Sequence, residues 1–129
     1  MWKEYNPNPK GRHTDDCVVR ALTILLDCDW DTAYLKLATT GYELKTMPTT
    51  NYTWETLLKH EGFTKRILPD TCPDCYTVKD FCEEHKEGFY LIATGSHVIT
   101  VVDGDYCDTW DSGDETITYY FEDNEATKA

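Results

Sequence analysis

The sequence predicts one α+β domain, in which a buried N-terminal helix packs on a C-terminal antiparallel β-sheet. Three observations predict this class: an almost wholly apolar run early in the chain, helical spacing after it, and four β-rich runs near the end. The 129 residues are 40% hydrophobic and include four Trp, nine Tyr and four Phe. That composition is sufficient for a single core over residues 1–129.

The first predicted helix covers residues 15–27 and follows an irregular arm at residues 1–13. Thr14 or Asp15 is typical of an N-cap. The interior, CVVRALTILL, is apolar on nearly every side. Because such a helix cannot face water, we expect it inside the domain.

Three further helices and one strand are predicted next. The segment DWDTAYLKLATTG has helical apolar spacing, and Gly41 is expected to end that helix. A third helix is expected over residues 52–60. The run FTKRIL indicates a short strand, and a fourth helix is capped by Thr77.

The last part of the chain predicts the sheet. The runs FYLIAT, HVITVV, YCDTW and TITYYF are separated by GS, DGD and DSGDE, which are turn compositions. Four strands joined by short turns indicate an antiparallel meander over residues 89–121. Residues 122–129 are expected to form a frayed acidic tail.

Charge and cysteine usage limit the functional classes. The net charge of -12 argues against nucleic acid and against anionic membrane surfaces as partners. The charge leaves a basic protein, a peptide or a small molecule open as the substrate, of which we expect a protein or peptide, and no cofactor is expected. Residues 1–12 contain no signal-like apolar run, and no segment is long enough to span a membrane. We therefore expect a cytoplasmic chain whose six cysteines are thiols.

Cys17 stands at the head of the apolar helix. Unpaired N–H groups and the positive end of the helix dipole stabilise a thiolate there. The same N–H groups can bind the oxyanion of a tetrahedral intermediate. A lone cysteine is more often a core residue, but a core cysteine has no reason to occupy this end, so the position favours a nucleophile.

A histidine and an acid could complete the site, because a nucleophilic cysteine needs a base and a group that orients the base. His97 opens HVITVVDGDYCDTWD, which predicts a hairpin. A three-residue connection places His97 opposite Asp111, which we favour. A two-residue turn makes Asp108 or its neighbours the closer group. Either acid would fix the imidazole tautomer and stabilise the imidazolium.

These segments resemble the papain-like cysteine peptidases. DDCVVRAL resembles their nucleophile helix and GSHVITVVDGDYCDTWDSG their histidine hairpin, with Asp111 in the place of the orienting residue. The hairpin also resembles that of peptidase domains that process bacteriocin leaders. NPNPKGRHTDDCVVRAL, TVKDFCEEHKEGFYLIATGSHVITVVDG and DTWDSGDE resemble small papain-fold proteins of bacteriophages and prophages of gut Firmicutes. The resemblance implies a papain-like fold and a thiol-dependent peptidase or isopeptidase.

The chain departs from the papain-like pattern before Cys17. Papain-like enzymes place a Gln there to complete the oxyanion hole, and this sequence contains no Gln. Asn8, or Asn6, could supply the missing amide from the arm. We therefore add Asn8 to the predicted catalytic residues Cys17, His97 and Asp111.

A non-catalytic binding protein on the same fold is the alternative, for instance a phage factor that captures a host protein. The absence of Gln favours it, and so do Asp15 and Asp16. Negative charge beside Cys17 raises the pKa of its thiol and opposes thiolate formation. This charge could be offset by Arg12, His13 and Arg20.

CPDC and FCEEH form a second constellation: Cys72, Cys75, Cys82 and His85. Cys82 and His85 are one helical turn apart, so tetrahedral zinc is sterically feasible. The spacing between the two pairs is short and matches no established zinc motif. We expect no metal here.

Overall fold

The computed structural model describes residues 1–124. Within that range the chain has four helices and one six-stranded mixed sheet, so the predicted α+β class is confirmed. The helices are α1 Cys17–Leu25, α2 Trp30–Leu44, α3 Asn51–His60 and α4 Val78–Glu84. The strands are β1 Trp2–Glu4, β2 Phe63–Ile67, β3 Phe89–Ala93, β4 Val98–Val102, β5 Asp105–Asp108 and β6 Tyr119–Asp123.

The sheet has the strand order β1-β5-β4-β3-β6-β2. The four strands predicted at the end of the chain pair antiparallel. The predicted meander is wrong, because β6 pairs with β3 and not with β5. The prediction that residues 89–121 alone form an antiparallel sheet is also wrong, because a strand from elsewhere in the chain adds at each edge. β2 adds to β6 as an antiparallel edge, and β1 pairs with β5 in parallel.

β1 lies in the arm that the sequence predicts to be irregular. Its register places Trp2 beside Tyr106 and Glu4 beside Asp108. A three-residue strand carries too little alternation to be recognised, and it forms only because β5 offers an unpaired edge. The irregular-arm prediction is therefore wrong for Trp2–Glu4.

The acidic tail begins later than predicted. Glu122 and Asp123 belong to β6, where they pair with Thr64 and Phe63 of β2. Pairing to an edge strand holds acidic residues that their charge alone would leave frayed. The rest of the predicted tail, residues 125–129, lies outside the described residues.

The two faces of the sheet are covered by different helices. Leu22 and Leu25 of α1 pack with Leu91 and Val98 on one face, together with residues of α2 and α3. The other face packs against α4, whose buried residues are Val78, Phe81 and Cys82. Successive strand residues point to opposite faces, so a strand covered on both sides is apolar throughout. This explains the continuous apolar runs of β3 and β4.

α1 begins two residues later than predicted. Its N-cap is Asp16 and not Thr14 or Asp15, and the Asp16 side chain makes no capping hydrogen bond. The helix ends at Leu25, before the predicted residue 27. Cys17 is therefore the first residue of the helix, with no side-chain cap in front of it.

α2 continues through Gly41, which the sequence predicts to end it. The helix stops instead after Leu44, where Lys45 adopts a left-handed conformation. Gly41 is buried, and a Cβ atom there would lie 3.0 Å from the backbone oxygen of Thr46. The glycine is needed for this close approach of the following loop.

Candidate active site

Cys17 and His97 lie together in the structure. Cys17 begins α1, and His97 immediately precedes β4, the strand against which α1 packs. The thiol and the imidazole interact closely enough that each shifts the pKa of the other. Both side chains line the same two clefts. Residues that are eighty positions apart in sequence are thus brought within reach of one carbonyl group.

Asp108 is the acid that contacts His97. Its Oδ2 lies 2.6 Å from His97 Nε2. Since a carboxylate can only accept, this nitrogen carries the proton, and Nδ1 is left to face the Cys17 thiol. Asp108 is the alternative that a two-residue hairpin turn predicts.

The preferred placement of Asp111 opposite His97 is wrong. The turn between β4 and β5 has two residues, Asp103 and Gly104, and Val102 pairs with Asp105. Both turn residues have positive φ, as a tight hairpin turn requires. Asp111 instead accepts a hydrogen bond from the Tyr106 hydroxyl.

The Asp108 carboxylate is buried, with 1% exposure, and both oxygens are hydrogen-bonded. Oδ2 also accepts from the Ser112 hydroxyl at 2.7 Å. Oδ1 accepts from the Thr109 backbone N–H at 2.8 Å and from Arg20 Nη2 at 3.2 Å. Burial raises the pKa of Asp108, but the hydrogen bonds from His97 and Ser112 outweigh burial and lower it. The acid is therefore ionised and held in one orientation.

Arg20 joins this acid to the start of α1. Its buried guanidinium pairs with Asp108 and with Asp16. The second oxygen of Asp16 accepts from Trp30 Nε1 at 2.9 Å. Asp16, which the sequence treats as an obstacle to the Cys17 thiolate, is thus neutralised by Arg20. The Asp16 side chain is also diverted from capping α1, so it leaves the N–H groups of the first turn uncapped.

The environment of Cys17 favours its thiolate. Burial raises the pKa of the thiol and is the largest effect. Hydrogen bonds from His97 and from the Val98 backbone, with the charges of His97 and Arg20, outweigh burial, so the pKa is lowered. The thiols of Cys28, Cys82 and Cys107 have raised pKa values, and burial is the main cause for each.

His97 is held in its protonated form. Burial lowers the pKa of the imidazole, but the hydrogen bonds with Asp108 and Cys17 raise it to about 9. Trp110 stacks on the ring, with centroids 5.6 Å apart and planes at 29°. A lowered thiol pKa beside a raised imidazole pKa favours a thiolate–imidazolium pair near neutral pH.

Two clefts border the Cys17–His97 pair. The narrow cleft has a volume of about 130 Å³ and also borders Thr49, Asn51 and Ser96. The wide cleft has a volume of about 410 Å³ and borders Asp15 and Trp110. A chain crossing the thiol would therefore occupy both sides of it.

Asn8, the predicted oxyanion-hole residue, lines neither cleft. Its Oδ1 accepts from the Lys10 backbone N–H at 2.8 Å, and Asn6 Nδ2 donates to the Arg12 carbonyl at 3.2 Å. The Asn6 NH₂ group is therefore used within the arm, and the structure does not place Asn8 at the site, because Asn8 borders neither cleft.

Asn51 is the side-chain amide that lines the narrow cleft with Cys17. Its Oδ1 accepts from Trp54 Nε1 at 3.1 Å, which leaves the amide NH₂ to donate. Sequence reasoning missed Asn51 because it opens α3, a helix with no pattern that relates it to α1. Ser112 was missed for the same reason, since it follows the hairpin in an irregular segment.

Cys72 and Cys75 form a disulfide, so the prediction that all six cysteines are thiols is wrong. The close spacing in CPDC allows the two sulfurs to meet. His85 Nδ1 lies 2.9 Å from the Phe81 carbonyl oxygen, and its ring stacks on Phe81. Over residues 1–124 the structure shows no group of three or more His, Cys, Asp or Glu arranged to hold a metal ion.

Comparisons with protein-family models, with curated proteins and with solved structures find no match to this chain. The papain-like and phage relationships therefore stay predictions. In the part of the chain that the structure describes, no helix has both the length and the apolar character needed to cross a membrane.

Replacing Asp108 should show that its carboxylate raises the pKa of His97. In the wild type His97 should remain protonated up to about pH 9. Asp108→Asn removes the carboxylate that raises this pKa, so the imidazole should lose its proton at a lower pH, and alkylation of Cys17 at pH 7 should slow. NMR titration of His97 measures the first effect, and mass spectrometry the second. Asp111→Asn is the matched control; an equal or larger shift there would contradict the assignment.

Replacing Arg20 should destabilise the fold. Arg20→Met leaves two buried carboxylates, Asp16 and Asp108, without their shared cation, and we expect a loss of about 3 to 5 kcal/mol in the free energy of unfolding. Lys79→Met removes the partner of Asp114 in an exposed pair, where about 0 to 1 kcal/mol is expected. Urea denaturation measures the free energy of unfolding of both variants. Similar losses would show that the buried ion pairs of Arg20 contribute no more than an exposed pair.

Proposed function

We propose that this protein is a papain-like thiol hydrolase that cleaves a peptide or isopeptide bond with Cys17, His97 and Asp108. One observation carries the proposal: a thiol of lowered pKa at a helix N-terminus borders the same clefts as a histidine whose Nε2 contacts a buried carboxylate. These are the nucleophile, the base and the orienting group that acyl transfer by cysteine requires.

In the proposed reaction, the Cys17 thiolate attacks the carbonyl carbon of the scissile bond. The carbonyl oxygen becomes an oxyanion, to which the Cys17 N–H and the Asn51 amide donate. His97 Nδ1 gives its proton to the leaving amine as the C–N bond breaks, which leaves a thioester on Cys17. Water then attacks the thioester while His97 takes one of its protons, and the acid product leaves with the thiolate restored.

Asp108 acts through His97 in this proposal. Its carboxylate holds the ring with Nδ1 toward the thiol and stabilises the imidazolium that exists before the proton is transferred. Arg20 and Ser112 keep the carboxylate from rotating. Trp110 covers one face of the imidazole, which limits the approach of water to it.

The reactivity of Cys17 tests the proposal directly. At neutral pH iodoacetamide should alkylate Cys17 at least about tenfold faster than Cys28, Cys82 or Cys107, because the thiolate is the nucleophile and only Cys17 has a lowered pKa. Mass spectrometry of timed samples gives the rate at each cysteine. A Cys17 rate no higher than the other three would contradict the proposal.

Turnover should depend on the same thiol. Cys17→Ala should abolish cleavage of any substrate found in a peptide library, and His97→Ala should do nearly equal damage, since the members act as a unit. The thermal midpoint of Cys17→Ala should change little, because a half-buried thiol packs little surface. Unfolding of Cys17→Ala would instead identify a core residue.

Replacing Asn51 should distinguish stabilisation of the oxyanion from the reactivity of the thiol. Asn51→Ala should lower kcat by about 10²- to 10³-fold, the usual effect of removing one oxyanion donor. Alkylation of Cys17 by iodoacetamide should stay unchanged, because no oxyanion forms in that reaction. Asn8→Ala should change neither rate; a large loss of kcat there would restore the arm as the donor.

A binding role is the second candidate. Large apolar side chains are exposed along α2, in the loop after it and at the start of α3, namely Tyr34, Leu35, Tyr42, Met47 and Tyr52. An exposed apolar surface of this kind favours contact with another protein. A phage factor that captures a host protein would retain binding when Cys17 is replaced, whereas the hydrolase would lose its activity.

A further inference from the structure

The wide cleft differs from the narrow cleft in the charges at its border. Arg20 and His97 are its cationic groups. Arg20 is engaged by Asp16 and Asp108, and His97 by Asp108 and Cys17. These positive charges are therefore compensated by buried partners and would not attract an anion.

Asp15 supplies the uncompensated charge. Its side chain is exposed at the border of the wide cleft. Within residues 1–124 its carboxylate has no hydrogen bond or ion pair, in contrast to Asp16 beside it. His13 also borders the cleft. The cleft thus offers one free negative charge close to the proposed nucleophile.

Trp110 adds an aromatic surface to the same cleft. Its indole is 45% exposed although it stacks on His97. An aromatic ring together with a carboxylate is a combination that holds ammonium and guanidinium groups, through cation–π attraction and a charge-assisted hydrogen bond. The hydroxyls of Thr14 and Thr109 at the cleft border can accept the remaining N–H groups. The net charge of -12 also favours encounters with cations.

We propose that the wide cleft binds a lysine or arginine side chain of the substrate, next to the bond that Cys17 attacks. The inference rests on the proposed function, because the cleft selects a substrate only if Cys17 acts on it. Asp15 and Trp110 are then specificity-determining residues. Because Trp110 also stacks on His97, the effect of each residue on the thiol itself is measured separately with a neutral reagent.

Charged alkylating reagents test the cleft without a known substrate. Three iodoacetamides are used whose N-substituents end in a quaternary ammonium, an ethyl group or a sulfonate. The rate constant at Cys17 is measured for each by mass spectrometry, in the wild type and in each variant. The ratio of the cationic to the anionic rate is the readout, and the neutral reagent reports any change in the thiol itself.

Asp15→Asn should lower the cationic-to-anionic ratio by about threefold or more, as expected for losing one charge within several ångströms of the reagent. Trp110→Leu should also lower it, although the variant changes no charge. Asp27→Asn is the matched control: it lies beyond the far end of α1, and Cys17–Leu25 spans about 12 Å along the helix axis. That distance exceeds the screening length of about 8 Å at physiological ionic strength, so the ratio should not change.

The outcomes distinguish this inference from the proposed function. If Cys17 reacts rapidly but Asp15→Asn leaves the ratio equal to that of Asp27→Asn, the cleft does not select cations and the inference is wrong. If Cys17 is slow with all three reagents, the proposed function fails and the inference fails with it. Peptide-library cleavage should enrich Lys or Arg beside the scissile bond in the wild type and lose that enrichment in Asp15→Asn.

Discussion

The buried carboxylate of Asp108 is the group on which the site and much of its surroundings depend. A charge at 1% exposure is tolerated only when donors replace the water it has lost. Here the donors come from different parts of the chain: Arg20 from α1, His97 from the start of β4, and Ser112 from the segment after β5. The backbone oxygen of Asp108 also accepts from Trp2 Nε1 at 3.1 Å. One residue therefore positions the helix, the hairpin and the arm relative to one another.

A network of buried ion pairs of this kind contributes little net free energy to folding. Removing charges from water costs about as much as their attraction returns, and well-packed apolar side chains in the same volume are often at least as stabilising. Leu22, Leu91 and Phe121 belong to the apolar core that packs α1 on the sheet. The ion pairs of Arg20 with Asp16 and Asp108 are better explained by their effect on the geometry of the site. They hold His97 beside the thiol at the start of α1.

The sequence predicted the pairing of Cys17 with the His97 hairpin because both signals are local. A cysteine at the head of an apolar helix and a histidine opening a β-rich run can each be read within a few residues. The choice between Asp111 and Asp108 depended on one residue in the turn. Asp103–Gly104 is the kind of pair that favours a two-residue turn, so Gly104 is the residue that indicates Asp108.

The sequence by itself determined the α+β class, the apolar helix that begins near Cys17 and the strands that form the antiparallel part of the sheet. These follow from periodicity and from turn residues, which act over short stretches of chain. Only the tertiary structure decided that Arg20 neutralises Asp16, that Asn51 and not Asn8 borders the thiol, and that Trp2–Glu4 joins the sheet. The physical reason is that each depends on partners tens of residues away, and no local pattern specifies which polar group will meet another once the core has closed.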